Sequence, residues 1–233
     1  MTYEEAIAFL FPRTTTIKFG LDTTEALLER LGRPDRIVPT IHVGGTNGKG
    51  SVATLVAEAL RAMGARVGVY TSPHLVSFRE RIQVNGVPIS EAAVAAWTSE
   101  LRSTILERDA TFFEAATALA FADLAGRGAE IAVIEVGLGG RLDSTNIVRP
   151  LVSAVTKIEM DHMKYLGDTL EAIAREKAWI AKPGAPFVVG ETRPEILAVM
   201  RREAQAAVAS VDPAATVDWR IVPGDRVWEG PLG

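Results

Sequence analysis

The 233-residue sequence contains no cysteine, which excludes a disulfide framework, Cys-ligated zinc, iron–sulfur clusters and thiol nucleophiles. Any metal must be held by oxygen and nitrogen. No apolar run approaches the ~18 residues of a membrane span. The opening residues Met1-Thr2-Tyr3-Glu4-Glu5-Ala6 are acidic where a secretory or transit peptide is basic. No membrane partner is expected, and the cytoplasm is the expected location. An excess of positive charge is missing too, since 25 Lys and Arg stand against 29 Asp and Glu for a formal charge of −4. Broad affinity for nucleic acid needs many cations meeting phosphates, so nucleic acid is not an expected partner and any nucleotide must sit in a local site.

What is present is ample core material, with 48% hydrophobic and 23% charged residues. Internal repeats, low-complexity tracts and linkers are lacking, so residues 1–233 are expected to form one α/β domain, incomplete at its C-terminal end. Ile7, Leu10 and Phe11 fall at helical spacing behind Thr2 as N-cap, and Leu21 to Leu31 repeats the pattern behind Asp22. Ile37 to Val43 is a short β-branched run, Ser51 to Met63 a helix closed by Gly64, and Arg66 to Thr71 a second strand, a βαβ unit. The alternation Ile82, Val84, Val87, Ile89 around Asn85-Gly86 predicts a hairpin, an excursion from the sheet.

Helices over 91–107 and 112–124 lead to a buried strand at Ile131 to Val136. Strands at 152–156 and 186–189 flank a helix from Thr169 to Ile180, followed by a helix from Pro194 to about Val208 and a strand at 217–222. The chain then runs to Gly230-Pro231-Leu232-Gly233 with no closing element expected. Strands alternating with helices imply a P-loop-type, mainly parallel sheet covered by helices on both faces, plus the small hairpin.

The sharpest local signal is Gly44-Gly45-Thr46-Asn47-Gly48-Lys49-Gly50-Ser51 between a strand and a helix. Such a loop turns successive N–H groups and a helix N-terminus toward a polyanion, and its lysine adds a point charge for the terminal phosphates. Gly50 separates Lys49 from Ser51, which departs from the strict Walker pattern. Glu135 lies near a strand end before a glycine turn, and Asp143 follows in the same loop. Ligands of open α/β sheets bind at that end, so each is a candidate Mg²⁺ ligand, with helix capping or a surface position as the alternative. Asp161-His162 and His74 also follow strands, where a lone histidine serves as a ligand or as an ordinary surface or core residue. Glu176 and Lys177 alone read as a solvated charged face.

Together these segments resemble the folylpolyglutamate synthase/dihydrofolate synthase family of the Mur ligase superfamily. The matching blocks run in family order over roughly residues 1–190. They are 41–51, Tyr70-Thr71-Ser72-Pro73-His74-Leu75 with Glu80-Arg81-Ile82, Thr111-Phe112-Phe113-Glu114, Ile134 to Asn146, Asp161-His162, and Arg175-Glu176-Lys177-Ala178 with Lys182-Pro183-Gly184. The resemblance implies a ligase that uses ATP to phosphorylate a carboxylate and lets the amine of L-glutamate attack the acyl phosphate, with dihydropteroate or a reduced folate as acceptor.

By the same resemblance Gly45, Thr46, Asn47, Gly48, Lys49, Gly50 and Ser51 bind ATP, and Lys49, Glu135, His162 and Lys177 serve catalysis. Ser72 and Glu135 hold one Mg²⁺; Glu135, His162 and Lys177, as a carbamate, share a second. Ser72, Pro73, His74, Thr111, Phe113, Asp143 and Ser144 fall at substrate positions, although the Phe112-Phe113 pair equally suits a core helix. A monomer is expected. The chain departs from the family at Trp179, where glycine is usual, and at the charged run Lys157-Ile158-Glu159-Met160. It also departs in length, since family members continue into a smaller C-terminal domain. Another Mur-type ligase, or a fragment that binds Mg·ATP and a pterin without turnover, are the alternatives.

Overall fold

The computed structural model describes residues 1–15 and 17–222. The expected end at Gly230 to Gly233 lies outside the described residues. In chain order the helices are α1 (Tyr3–Leu10), α2 (Asp22–Arg30), α3 (Lys49–Ala62), α4 (Glu91–Glu107), α5 (Phe112–Gly126), α6 (Met163–Leu166), α7 (Leu170–Ala178) and α8 (Pro194–Val211). The strands are β1 (Thr40–Gly44), β2 (Val67–Tyr70), β3 (Ile82–Val84), β4 (Val87–Pro88), β5 (Ile131–Glu135), β6 (Val152–Val155), β7 (Pro186–Val189) and β8 (Asp218–Ile221). Among the described residues no helix is long and apolar enough to cross a membrane.

Local chemistry accounts for most element starts. Thr2 caps α1 in a box with Glu5, Ser90 caps α4, Thr111 caps α5 in a box with Glu114, and Thr169 caps α7. Asp22 corrects the expectation made for it: the N-cap of α2 is Leu21, without a side-chain cap, and Asp22 lies in the first turn, where a carboxylate still complements the helix dipole. The β-branched run from Ile37 begins its strand only at Thr40, because a short 3-10 turn over Pro34–Arg36 and then Pro39 precede it.

The eight strands form one sheet in the order β4-β3-β2-β5-β1-β6-β7-β8. The pairings β2-β5, β5-β1, β1-β6, β6-β7 and β7-β8 are parallel, whereas β2-β3 and β3-β4 are antiparallel. That hairpin does not stand off the sheet: Gly68 to Tyr70 pair with Ile82 to Val84, so it extends the edge. Period-two alternation then sorts the core. Ala132 and Ile134 of β5 join the cluster made with α1, α2, α4 and α5, while Val133 joins Val43 and Val67 beneath Ala53 and Ala57 of α3. A third cluster packs α7 and α8 against Val155, Phe187 and Val189. With β1 central and parallel to both neighbours, the loops after β1, β2, β5 and β6 emerge at one edge.

Candidate active site

The loop after β1 enters α3 with Gly48 as N-cap in the left-handed region and no side chain capping the helix. The leading N–H groups of such a helix have no intrahelical acceptor, and Asn47, Gly48 and Ser51 are exposed. A ready anion site results. Gly45 is required by geometry: its φ is +130°, and an added Cβ would lie 1.8 Å from Thr156 Oγ1. The loop is fastened from behind by residues that follow β6. Thr46 N donates to Lys157 O at 2.8 Å, Thr46 Oγ1 donates to Glu159 O at 3.1 Å, and Thr156 Oγ1 donates to Asn47 O at 2.8 Å. The charged run 157–160 thus serves as the backing of the loop, with Glu159 3.8 Å from Arg193.

Lys49 is half-buried and donates to Thr46 O at 2.9 Å, folded over its own loop. Glu135, at the end of β5, is buried with both carboxyl oxygens 3.6 Å from where a Cβ on Gly50 would stand. Its Oε2 accepts from the Ser72 amide at 2.9 Å. Burial pushes the Glu135 carboxyl up, against the pull of the Ser72 amide and the Lys49 charge. A neighbouring cation relieves that desolvation.

Lys177 contradicts the solvated face that its helix position alone predicts: it is 3% exposed and its Nζ donates to Gly45 O at 2.7 Å. Burial pushes the amine down to about 8, and the Lys49 charge adds to the effect, while Asp161 and Asp143 oppose it. The structure therefore brings Lys49, Glu135, Ser72 and Lys177 together around the start of α3. His162 is left on the rim, half exposed, with Nε2 3.5 Å from Asp161 Oδ2. Trp179 points away, toward α8, where its Nε1 donates to Glu203 at 3.2 Å.

Beside this cluster lies a cavity of about 480 Å³. Of the residues expected at substrate positions, Ser72, Pro73, Thr111, Phe113, Asp143 and Ser144 line it and His74 does not; His162, expected at the metal, lines it as well. The His74 ring instead accepts from Arg81 Nε at 2.8 Å and packs edge-on to Phe11 and Phe78. Arg81, which lines the cavity, stands over the Phe112 ring. Both phenylalanines line the cavity and pack on the core cluster, Phe112 as a buried member of it and Phe113 half-buried and stacked on Tyr70. Glycine at 137 leaves room for this ring, since an added Cβ would come within 2.3 Å of it and push it aside.

Asp143 is buried and caps the turn Ser144–Ile147, with Oδ1 accepting from Thr145 N and Oδ2 from Leu138 N. Its capping and cavity-lining positions are the same position. Sequence reasoning missed the opposite wall, Arg13, Ile17, Lys18 and Phe19. No local signal there announced a site; an exposed Phe19 was the nearest to one.

A strand, a glycine loop and an uncapped helix at the carboxyl edge of a parallel sheet, with a buried carboxylate and two lysines beside them, define a phosphate-loop nucleotide-binding domain. Comparison with known proteins narrows that class. Residues 43–219 match the model of the Mur ligase middle domain, and the chain belongs to that family. It is 41% identical to the dihydrofolate synthase/folylpolyglutamate synthase of Bacillus subtilis over 89% of this chain and 50% of that protein. With the folylpolyglutamate synthase of Lacticaseibacillus casei the identity is 43%, over 86% and 49%. Among solved structures, the Escherichia coli FolC complex with DHPP and ADP superposes with a TM-score of 0.83 at 35% identity, over 94% of this chain and 51% of that one. An FPGS–AMPPCP–folate complex gives 0.80 at 37%, over 95% and 54%. The chain spans about half the length of these relatives.

Proposed function

We propose that this chain is the ATP-binding, carboxylate-activating part of a ligase that joins L-glutamate to dihydropteroate or a reduced folate. The observation that carries the reading is the shared corner of the two sites: the phosphate loop, Glu135 and the cavity meet at Ser72, whose amide binds Glu135 and which lines the cavity. A carboxylate held in the cavity would face the terminal phosphate of a nucleotide on the loop. Two anions must approach there, so cations have to neutralise both.

Lys49 and the first amides of α3 take the phosphate oxygens. The substrate carboxylate attacks the γ-phosphorus and expels ADP; the glutamate amine then attacks the acyl carbon and expels phosphate. The residues present fit Mg²⁺, which takes one or two carboxylates and completes its shell with water and substrate phosphate. Glu135 and Ser72 would hold one ion, and Glu135, His162 and Lys177 a second. When bound, Mg²⁺ supplies charge neutralisation at the phosphates. Lys177, with its amine pushed down to about 8, holds a neutral fraction able to add CO₂ with loss of a proton, giving an anionic carbamate in place of an ammonium. Phe113, Thr111, Asp143 and Ser144 offer one aromatic face and polar edges to a pterin. Location in the cytoplasm, as a monomer, completes the proposal.

The test is ADP formation by the purified chain with Mg·ATP. The expected result is release only when glutamate and a pteroate or folate are both present. Binding of Mg·ATP and pteroate without release would favour the second reading, a binding half that needs further polypeptide for turnover; its motive is the half-length match to the relatives. ADP release with a UDP-sugar peptide would contradict both.

A further inference from the structure

His42 is a motif residue that the proposed chemistry leaves without a task. It sits in the middle of β1, between Ile134 of β5 and Ser153 of β6, and is fully buried. Its Nε2 is 2.9 Å from Thr145 Oγ1, and its Nδ1 has no partner. A buried imidazole with an idle nitrogen is a stability cost that an apolar residue would avoid. Its return must lie in what Nε2 holds.

Thr145 Oγ1 also lies 2.5 Å from Asp143 Oδ1, and a hydroxyl has one proton, so the three groups in a row, His42, Thr145 and Asp143, leave two arrangements. In one, His42 Nε2–H donates to Thr145 Oγ1 and the hydroxyl proton goes to Asp143 Oδ1. In the other, a protonated Asp143 donates to Thr145, which donates to His42, and Nδ1 then carries a buried N–H without an acceptor. Orphaned buried N–H groups are rarer than orphaned acceptors. Asp143 Oδ1 already accepts from the Thr145 amide at 2.9 Å, and Oδ2 from the Leu138 amide at 2.8 Å, as a carboxylate would. The first arrangement is the one that fits. Burial, with the Lys182 charge behind it, keeps the His42 ring neutral.

We propose that His42 is a positioning residue for substrate: through Thr145 it holds the Asp143 carboxylate, and with it the turn carrying Leu138 and Ser144, as a fixed hydrogen-bond-accepting wall of the cavity. The chemistry this wall recognises is an N–H-bearing edge of a flat heterocycle. Two residues after His42, β1 ends and the phosphate loop begins, so the same strand sets nucleotide and substrate wall in register. The proposal rests on the cavity being the acceptor site, and its test separates the two claims.

Ring nitrogen NMR of the ¹⁵N-labelled chain should show His42 as the Nε2–H tautomer from pH 5.5 to 8.5; the Nδ1–H tautomer would overturn the relay whatever the cavity binds. For binding, dihydropteroate is titrated into the chain holding Mg·ATP. Thr145→Val should weaken dihydropteroate tenfold or more and His42→Phe similarly, Thr145→Ser should restore it to within threefold, and the Mg·ATP Kd should stay within twofold throughout. Unchanged dihydropteroate affinity in Thr145→Val, or equal loss of both ligands, would overturn the positioning role. If the unaltered chain ignores dihydropteroate, the acceptor assignment of the cavity fails, and the tautomer alone decides the relay.

Discussion

In the phosphate loop the working groups are main-chain amides at an uncapped helix start, fastened from behind by Thr156, Lys157 and Glu159. In the cavity beside it they are side chains whose own hydrogen bonds lie within the wall: Thr111 caps α5, Asp143 caps its turn, and Thr145 answers to His42. One region waits for its ligand with open donors; the other is a finished surface that a ligand must match. The difference teaches where each is fragile. Backbone displacement breaks the first, and side-chain repacking breaks the second.

The largest expected effect is therefore on the loop backbone. Gly45→Ala places a Cβ against Thr156 Oγ1 at a positive φ, so we expect a loss of about 3–5 kcal/mol of stability and no measurable nucleotide binding, read by chemical denaturation and calorimetry. Retention of both would show that the loop is held less tightly than its contacts state. Next comes Lys49→Ala, which removes a charge-assisted contact of about 2–3 kcal/mol and should weaken Mg·ATP on the order of 100-fold with the melting temperature nearly unchanged. An unaltered Kd would end the role of Lys49 at the phosphates.

Lys177 sharpens the comparison from the other side, since its amine is buried against the loop. Its folded pKa of about 8 lies below the ordinary 10.5. Between those values the unfolded chain holds a proton that the folded chain lacks, so stability from this group rises with pH across that window. Below pH 8 the penalty is present in full, about 3 kcal/mol for such a shift, offset by about 1 for the hydrogen bond to Gly45 O. In CO₂-free buffer Lys177→Met should accordingly stabilise the chain by about 2 kcal/mol at pH 7, the gain fading toward pH 10.5, while ligation is lost. Lys182, also pushed down to about 8, is common to both proteins and cancels in the difference. A destabilised variant at pH 7 would contradict the assignment. The smallest effect belongs to the cavity: Gly137→Ala displaces the Phe113 ring, weakening a pteroate ligand by about 1–2 kcal/mol in a fluorescence titration with Mg·ATP affinity unchanged. Equal loss of both ligands would erase the division between the regions.

How much the sequence disclosed follows the same line. Gly44 to Ser51 is local chemistry, legible because glycine, lysine and their order suffice to describe an uncapped anion site. The sheet was legible for a related reason: Ile131 to Ile134 and Pro186 to Val189 carry continuous apolar runs between turn signals, and only their neighbours had to be inferred. Lys177 was misread from its helix alone, because burial depends on the distant Gly45 carbonyl 132 positions away. Arg13, Lys18 and Phe19 were not seen, since nothing in an irregular segment says which cavity it will close. His74 was ambiguous by position between a ligand and an ordinary residue, because the Arg81 side chain that donates to its Nδ1 could not be placed from spacing.

The central claim is that a phosphate loop and a pteroate-binding cavity meet at one corner of this chain. Calorimetric titration of dihydropteroate, and separately of a UDP-sugar peptide, into the chain saturated with Mg·ATP tests it most directly. The account predicts saturable one-to-one binding of dihydropteroate and none of the peptide. Binding of the peptide with no response to dihydropteroate would contradict it and move the chain to a different branch of the Mur ligases.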